Sequence, residues 1–226
     1  MTNEILDKLK SLSDDSYKAF NNKIIPTKQI TLGVRLPMLR AIAKDIVKDN
    51  QIEFINSDKQ NIYEMIMLEG LVLSYMKQPF KELLPMIESY LKKVDNWAQI
   101  DSVVLGFKDI KKEKDYVLDI VKIWIKSEDE FVVRTALIIL LSYYIQKENL
   151  NMIFELSQSV KHKGYYVYMG NAWLISVCMA KFPIQTKDFF RNNSLDIKTH
   201  NKAIQKSRDS YRVLKEDKII INDLKK

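Results

Sequence analysis

Phe131-Val132-Val133-Arg134-Thr135-Ala136-Leu137-Ile138-Ile139-Leu140-Leu141-Ser142-Tyr143-Tyr144 is the stretch that decides the class of fold. From Ala136 to Leu141 every position is apolar, whereas a helix lying on a surface keeps a polar face with a period of 3.6 residues. Such a helix must be covered on all sides. Asn61–Met76 and Tyr165–Ala180 read the same way. Between them lie segments with mixed faces. Leu6, Leu9 and Leu12 give the first helix its apolar stripe. Asp14–Ile25 is a short second helix ended by Pro26. Leu39, Ile42, Ala43, Ile46 and Val47 recur at helical spacing after Gly33 and Pro37, with Pro37 suited to a first turn. Pro79 and Phe80 open another helix, Asn96–Phe107 and Tyr116–Ile125 continue the series, and Pro183 begins a further pair. Ser210 to the end reads as a charged tail. Ser127 and Glu130 are spaced as a capping box ahead of Phe131–Tyr144.

Alternating mixed and strongly apolar helices, in pairs of about 35–45 residues, are what a two-layer repeat requires. The expectation is an all-α, HEAT-like helical-repeat solenoid (an α–α superhelix) with a basic concave face, formed by residues 1–226 as one domain. The pattern alone also fits a compact helical bundle. Five Gly and five Pro in 226 residues are too few for an all-β fold, and a 46% hydrophobic content supplies a continuous core.

Lys and Arg number 36 against 29 Asp and Glu, a net charge of +7 that suits an anionic partner. Cys178 is the only cysteine, so an intramolecular disulfide and a cysteine-based zinc site are excluded. His162 and His200 stand far apart without ligand spacing, which argues against a catalytic metal. The N-terminus is polar and amphipathic rather than a signal peptide, and no apolar run reaches the roughly 18 residues of a membrane span. The expected location is the cytoplasm, and the expected state a monomer.

Four residues carry candidate chemistry. Trp97 and Asp101, at i and i+4, share one helix face, and an aromatic wall beside a carboxylate suits a cationic ligand. A packed Trp with an Asp in a structural hydrogen bond is the plainer reading. Arg134, on an otherwise apolar helix, needs a partner: Asp101, Asp95 or a phosphate. Trp173 lies among aliphatic residues, but its neighbours Gly170 and Asn171 leave room for one open face; Trp124 reads as core. Lys198, Lys202 and Lys206 recur every fourth residue and make one charged face, with Arg208 and Arg212 close behind. That face suits phosphates, or is simply solvated.

Taken together, Leu32-Gly33-Val34-Arg35-Leu36-Pro37-Met38-Leu39-Arg40, Asp95-Asn96-Trp97 with Asp101, Phe131-Val132-Val133-Arg134-Thr135-Ala136, Tyr165-Tyr166-Val167 through Ala172-Trp173, and Lys202-Ala203-Ile204-Gln205-Lys206 with Asp209-Ser210-Tyr211-Arg212 resemble the DNA alkylation repair family, the AlkD-like HEAT-repeat DNA glycosylases. The pieces stand in family order over nearly the whole chain. The resemblance implies hydrolysis of the N-glycosidic bond of cationic N3- or N7-alkylated purines in duplex DNA, without drawing the base into a deep pocket and without a cofactor. It further implies that Asp101 is the catalytic carboxylate, Trp97 and Trp173 its aromatic partners and Arg134 its arginine. One segment departs from the family: Ser16–Gln29 is short and is interrupted at Pro26. A non-catalytic protein that recognises DNA structure through phosphates is therefore the alternative, with a scaffold for a protein partner as a third reading.

Overall fold

The segment from Tyr63 to Tyr75 explains why the first half of the chain folds as it does. Twelve of its thirteen residues are buried, from Tyr63 to Ser74, so neighbours must enclose it on every side. In the computed structural model, which describes residues 2–226, they do so as helices. The first elements are α1 (Thr2–Ser11), α2 (Asp15–Ile24), α3 (Leu36–Asp49), α4 (Gln51–Asn56), α5 (Tyr63–Tyr75), α6 (Phe80–Leu91) and α7 (Trp97–Val104). They are followed by α8 (Lys114–Trp124), α9 (Glu130–Ile139), α10 (Leu150–Ser159), α11 (Tyr165–Lys181), α12 (Pro183–Arg191), α13 (Ile197–Asp209) and α14 (Lys215–Asn222). Among the described residues there is no strand, only a parallel bridge between Ile30 and Ile62. The fold is all-α, as the apolar runs predict.

The chain divides within α8 into two compact units, Met1–Val117 and Leu118–Lys226. In the first, α3, α5 and α7 pack side by side, with α4 and α6 laid against α5. In the second, α9, α11 and α13 form the equivalent row, backed by α10, α12 and α14. Each unit is thus two-layered, with a strongly apolar helix in the middle of one row, which is how helical-repeat proteins bury a face that no single repeat can cover.

Polar groups inside the first unit are answered locally. Glu64, 2% exposed, accepts the backbone N–H groups of Leu32, Gly33 and Val34, at 2.9, 2.7 and 3.3 Å. Gly33 holds φ +90°, and a Cβ there would come within 2.6 Å of the Asp14 carbonyl oxygen. The turn leading into α3 therefore needs both the glycine's conformational freedom and its lack of a side chain. Glu69, 1% exposed, meets Lys93 Nζ at 2.7 Å and Lys59 Nζ at 3.5 Å. Lys59 also donates to the carbonyls of Phe54 and Ile55 at the end of α4. Burial pushes its ammonium pKa below the ordinary value, with Glu69 opposing the shift.

Three local expectations change. The helix from Phe131 to Tyr144 keeps α geometry only to Ile139, and Leu140–Tyr144 widens into a π turn. The capping box ahead of it does not form. Asp129, not Ser127, caps α9, accepting from the N–H groups of Phe131 and Val132 at 2.8 and 3.2 Å, while Ser127 Oγ accepts from Asp129 N–H. A carboxylate closer to the first turn reaches its free amides better than a hydroxyl two residues back. The stretch after Ser210 is not merely a charged tail: it contains α14, whose Ile221 and Asp217 are buried, with Asp217 bonded to Lys187 of α12. Its exposed Ile219 and Ile220 hide the helical period from the sequence. Helices α4 and α10 have no counterpart in the sequence expectation. Trp124 is 5% exposed, a core residue as expected.

Candidate functional site

In the first unit the candidate residues depend on how α7 begins. Asn96 caps it, its Oδ1 accepting from the N–H groups of Ala98 and Gln99 at 3.1 and 3.3 Å. Its Nδ2 donates to Asp95 Oδ1 at 2.8 Å and to Gln99 Oε1 at 3.1 Å. Asp95 also accepts the Thr27 hydroxyl at 2.8 Å and the Lys28 N–H at 2.7 Å, which ties the segment after α2 to the start of α7. Buried Gln99 and Gln29 bond through their side-chain amides at 2.7 Å, strengthening the same junction. Asp95, weighed from sequence as a partner for Arg134, has this anchoring role inside the first unit. Trp97 donates its indole N–H to the Ile24 carbonyl, at the end of α2, at 3.4 Å. The ring is half-buried, and Asp101, one turn later on the same side of α7, is also half-buried. The two stand one turn apart on α7, and part of each is accessible.

In the second unit, Arg134 is 5% exposed. Its Nη1 donates to the Tyr166 carbonyl at 2.8 Å, and Glu130, one turn earlier on α9, accepts the Tyr166 N–H. Two opposite charges on α9 thus hold both backbone groups of one residue in the first turn of α11. Gly170, one turn further along α11, faces Arg134: a Cβ there would lie 3.5 Å from Nη1. Sequence spacing marked Glu130 as a cap for its own helix; only packing shows that it serves α11.

Trp173 is half-exposed and lines an open depression of about 520 Å³ with Val177, Lys206 and Arg212. The indole and two of the expected basic residues therefore belong to one surface. Lys198 places its ammonium 4.1 Å from the centre of the Tyr168 ring. Lys202 is half-exposed and bonds Gln205 at 2.8 Å. Arg208 is exposed but falls about 200° around α13 from Lys206, so it leaves the face that the three lysines share. Cys178 is sealed in the core, and burial pushes its thiol up to about 12, far from a nucleophile's range.

Two features had no signal in the sequence reading. Tyr165 and Tyr168 lie beside the lysine face. In the first unit a second depression of about 520 Å³ has an apolar floor, including Met76 and Leu83, and a rim carrying Lys44, Lys77 and Lys108. Both are assembled from separate segments, so residue spacing does not reveal them. Among the described residues, no group of three or more His, Cys, Asp or Glu side chains could hold a metal ion, and no helix is long and apolar enough to cross a membrane.

A comparison with curated proteins returns no match. The family model described as "DNA alkylation repair enzyme" matches residues 5–206, a span that contains Trp97, Asp101, Arg134, Trp173 and the Lys198–Lys206 face. The chain therefore belongs to the DNA alkylation repair enzyme family, and its role is in DNA repair.

Proposed function

We propose that the protein is a DNA glycosylase that hydrolyses the N-glycosidic bond of cationic N3- or N7-alkylated purines in duplex DNA. The observation that carries this reading is the Trp97–Asp101 face of α7, set by the Asp95–Asn96–Thr27 junction at its start.

An alkylated purine already bears positive charge. When its bond to C1′ of the deoxyribose breaks, the electron pair leaves with the base and neutralises it, and the positive charge passes to the sugar. The Asp101 carboxylate stabilises that oxocarbenium-like sugar and orients the water whose oxygen bonds to C1′, taking the proton that this water gives up. Indole faces favour cationic species and exclude water, a role given to Trp97 and Trp173. Arg134 holds a phosphate of the damaged strand, and Lys198, Lys202, Lys206 and Arg212 supply further phosphate contacts. Because the leaving base is activated by its own charge, the reaction needs no metal or organic cofactor. In this reading the protein works as a cytoplasmic monomer.

The test is release of methylated purine from alkylated duplex DNA by wild type and Asp101→Asn. Asp101→Asn should lose release while keeping DNA affinity. Equal release by both would remove Asp101 from the chemistry. A second reading, a non-catalytic DNA-binding protein, draws on α2, which spans only Asp15–Ile24 and stops before Pro26. It expects steeply salt-dependent DNA binding with no base release from wild type.

A further inference from the structure

The row formed by α11 and α13 presents aromatic rings beside ammonium groups at its open face. Tyr165 is 57% exposed, and its ring stands edge-to-face against those of Tyr166 and Tyr168, at 5.3 and 5.4 Å between centres. Lys198 covers the Tyr168 ring at 4.1 Å. The two helices run parallel, since Lys198 meets Tyr168 near their starts and Lys206 lines one depression with Trp173 and Val177 further along both. Four residues of helix separate successive lysines by about 6 Å, on the scale of one step along a nucleotide backbone. Tyr165 and Trp173 are eight residues apart, so they stand about 80° apart around α11, within one half of its circumference.

A lysine stripe alone is satisfied by any phosphate backbone. An exposed ring alongside it is not, because the bases of an intact duplex are stacked on one another and offer their faces to nothing else. Unpaired bases do offer their faces, and aromatic platforms with flanking cations are how proteins hold them with little regard to sequence.

We propose that the Tyr165–Tyr168–Lys198 patch, continued by Lys202 and Lys206, is a binding track for unpaired nucleotides of single-stranded DNA, with Tyr165 stacking a base and the lysines following its phosphates. The proposal rests on the DNA-binding reading above but not on base excision. It gives the protein a use for DNA in which pairing is lost, such as a strand opened beside a lesion.

The experiment is fluorescence anisotropy with a labelled oligothymidylate and, in parallel, an undamaged duplex of equal length. Wild type should bind the oligothymidylate. Tyr165→Ala should weaken that binding about tenfold, the loss of one stacked base, and leave the duplex affinity unchanged. Tyr165→Phe, which keeps the ring, should bind as wild type, and Lys198→Ala should reduce the salt dependence. Lys122→Ala, on exposed α8, controls for a general loss of positive charge. No binding of oligothymidylate by wild type, or equal weakening of both DNAs by Tyr165→Ala, overturns the track. Base release measured on alkylated duplex is a separate readout, so failure of the glycosylase reading and failure of the track are told apart.

Discussion

Helices α5 and α11 occupy the same place in their units, yet they meet the demands of burial in opposite ways. Helix α5 carries its own charges, Glu64 and Glu69, and holds other segments with them: the turn before α3 through three amides, and Lys59 and Lys93 through two ion pairs. Helix α11 buries no charge of its own. Its polar interior is Asn171 and Ser176, and the charges at its start come from Glu130 and Arg134 on α9. The difference extends to exposure. Helix α5 is enclosed almost throughout, whereas α11 keeps Tyr165, Tyr168 and Trp173 accessible. A central helix whose backbone is held by a neighbour's charged side chains is left with one side for a ligand. One that uses its own charges to gather loops is enclosed by them.

The sharpest test of the contrast is Glu69→Ala. It leaves Lys59, whose side chain is 3% exposed, with no carboxylate, and stability to urea should fall by about 3–5 kcal/mol. A loss below about 1 kcal/mol would mean that water or the α4 carbonyls suffice for Lys59, and that α5 does not depend on its own charge. Glu64→Gln comes next. It removes the charge from an acceptor of three amides, with an expected loss of about 2 kcal/mol in the same titration. In α11 the matching change is Asn171→Ala, which strands the Ser157 hydroxyl and carbonyl that it bonds at 2.6 and 2.9 Å. The expected loss is about 1–2 kcal/mol, and a loss larger than that of Glu69→Ala would reverse the comparison.

The smallest effect concerns the far end of the second unit. His200 is buried, with Nε2 2.8 Å from the Leu224 carbonyl that follows α14. Burial lowers its pKa below 6.5, the Leu224 bond opposes the shift, and Lys226 adds to it. Between the folded and unfolded values the unfolded chain binds more protons. The neutral ring's contribution is therefore present above the unfolded pKa and is lost as pH falls through the folded one. Tm should decline from about pH 7 to pH 5 more steeply in wild type than in His200→Gln. Equal slopes would show that other groups set the acid sensitivity of this unit.

Much of this was legible in the residues themselves. Apolar runs such as Ala136–Leu141 and Asn61–Met76 exceed what a surface helix tolerates, so they announce an all-helical interior without any knowledge of contacts. The four-residue spacing of Trp97 and Asp101 places them on one face because a helix turns every 3.6 residues, and Asp14 and Pro26 bracket α2 by local rules of capping and backbone geometry. Other features depend on partners distant in sequence. Glu130 caps α11 rather than α9, Glu69 gathers Lys59 and Lys93, Asp95 ties down Thr27 and Lys28, and the tyrosines of α11 meet the lysines of α13. Local periodicity is set by the chain's own geometry and can be read from it; which charge finds which backbone group is decided only when packing brings segments together and removes the water that would otherwise satisfy them.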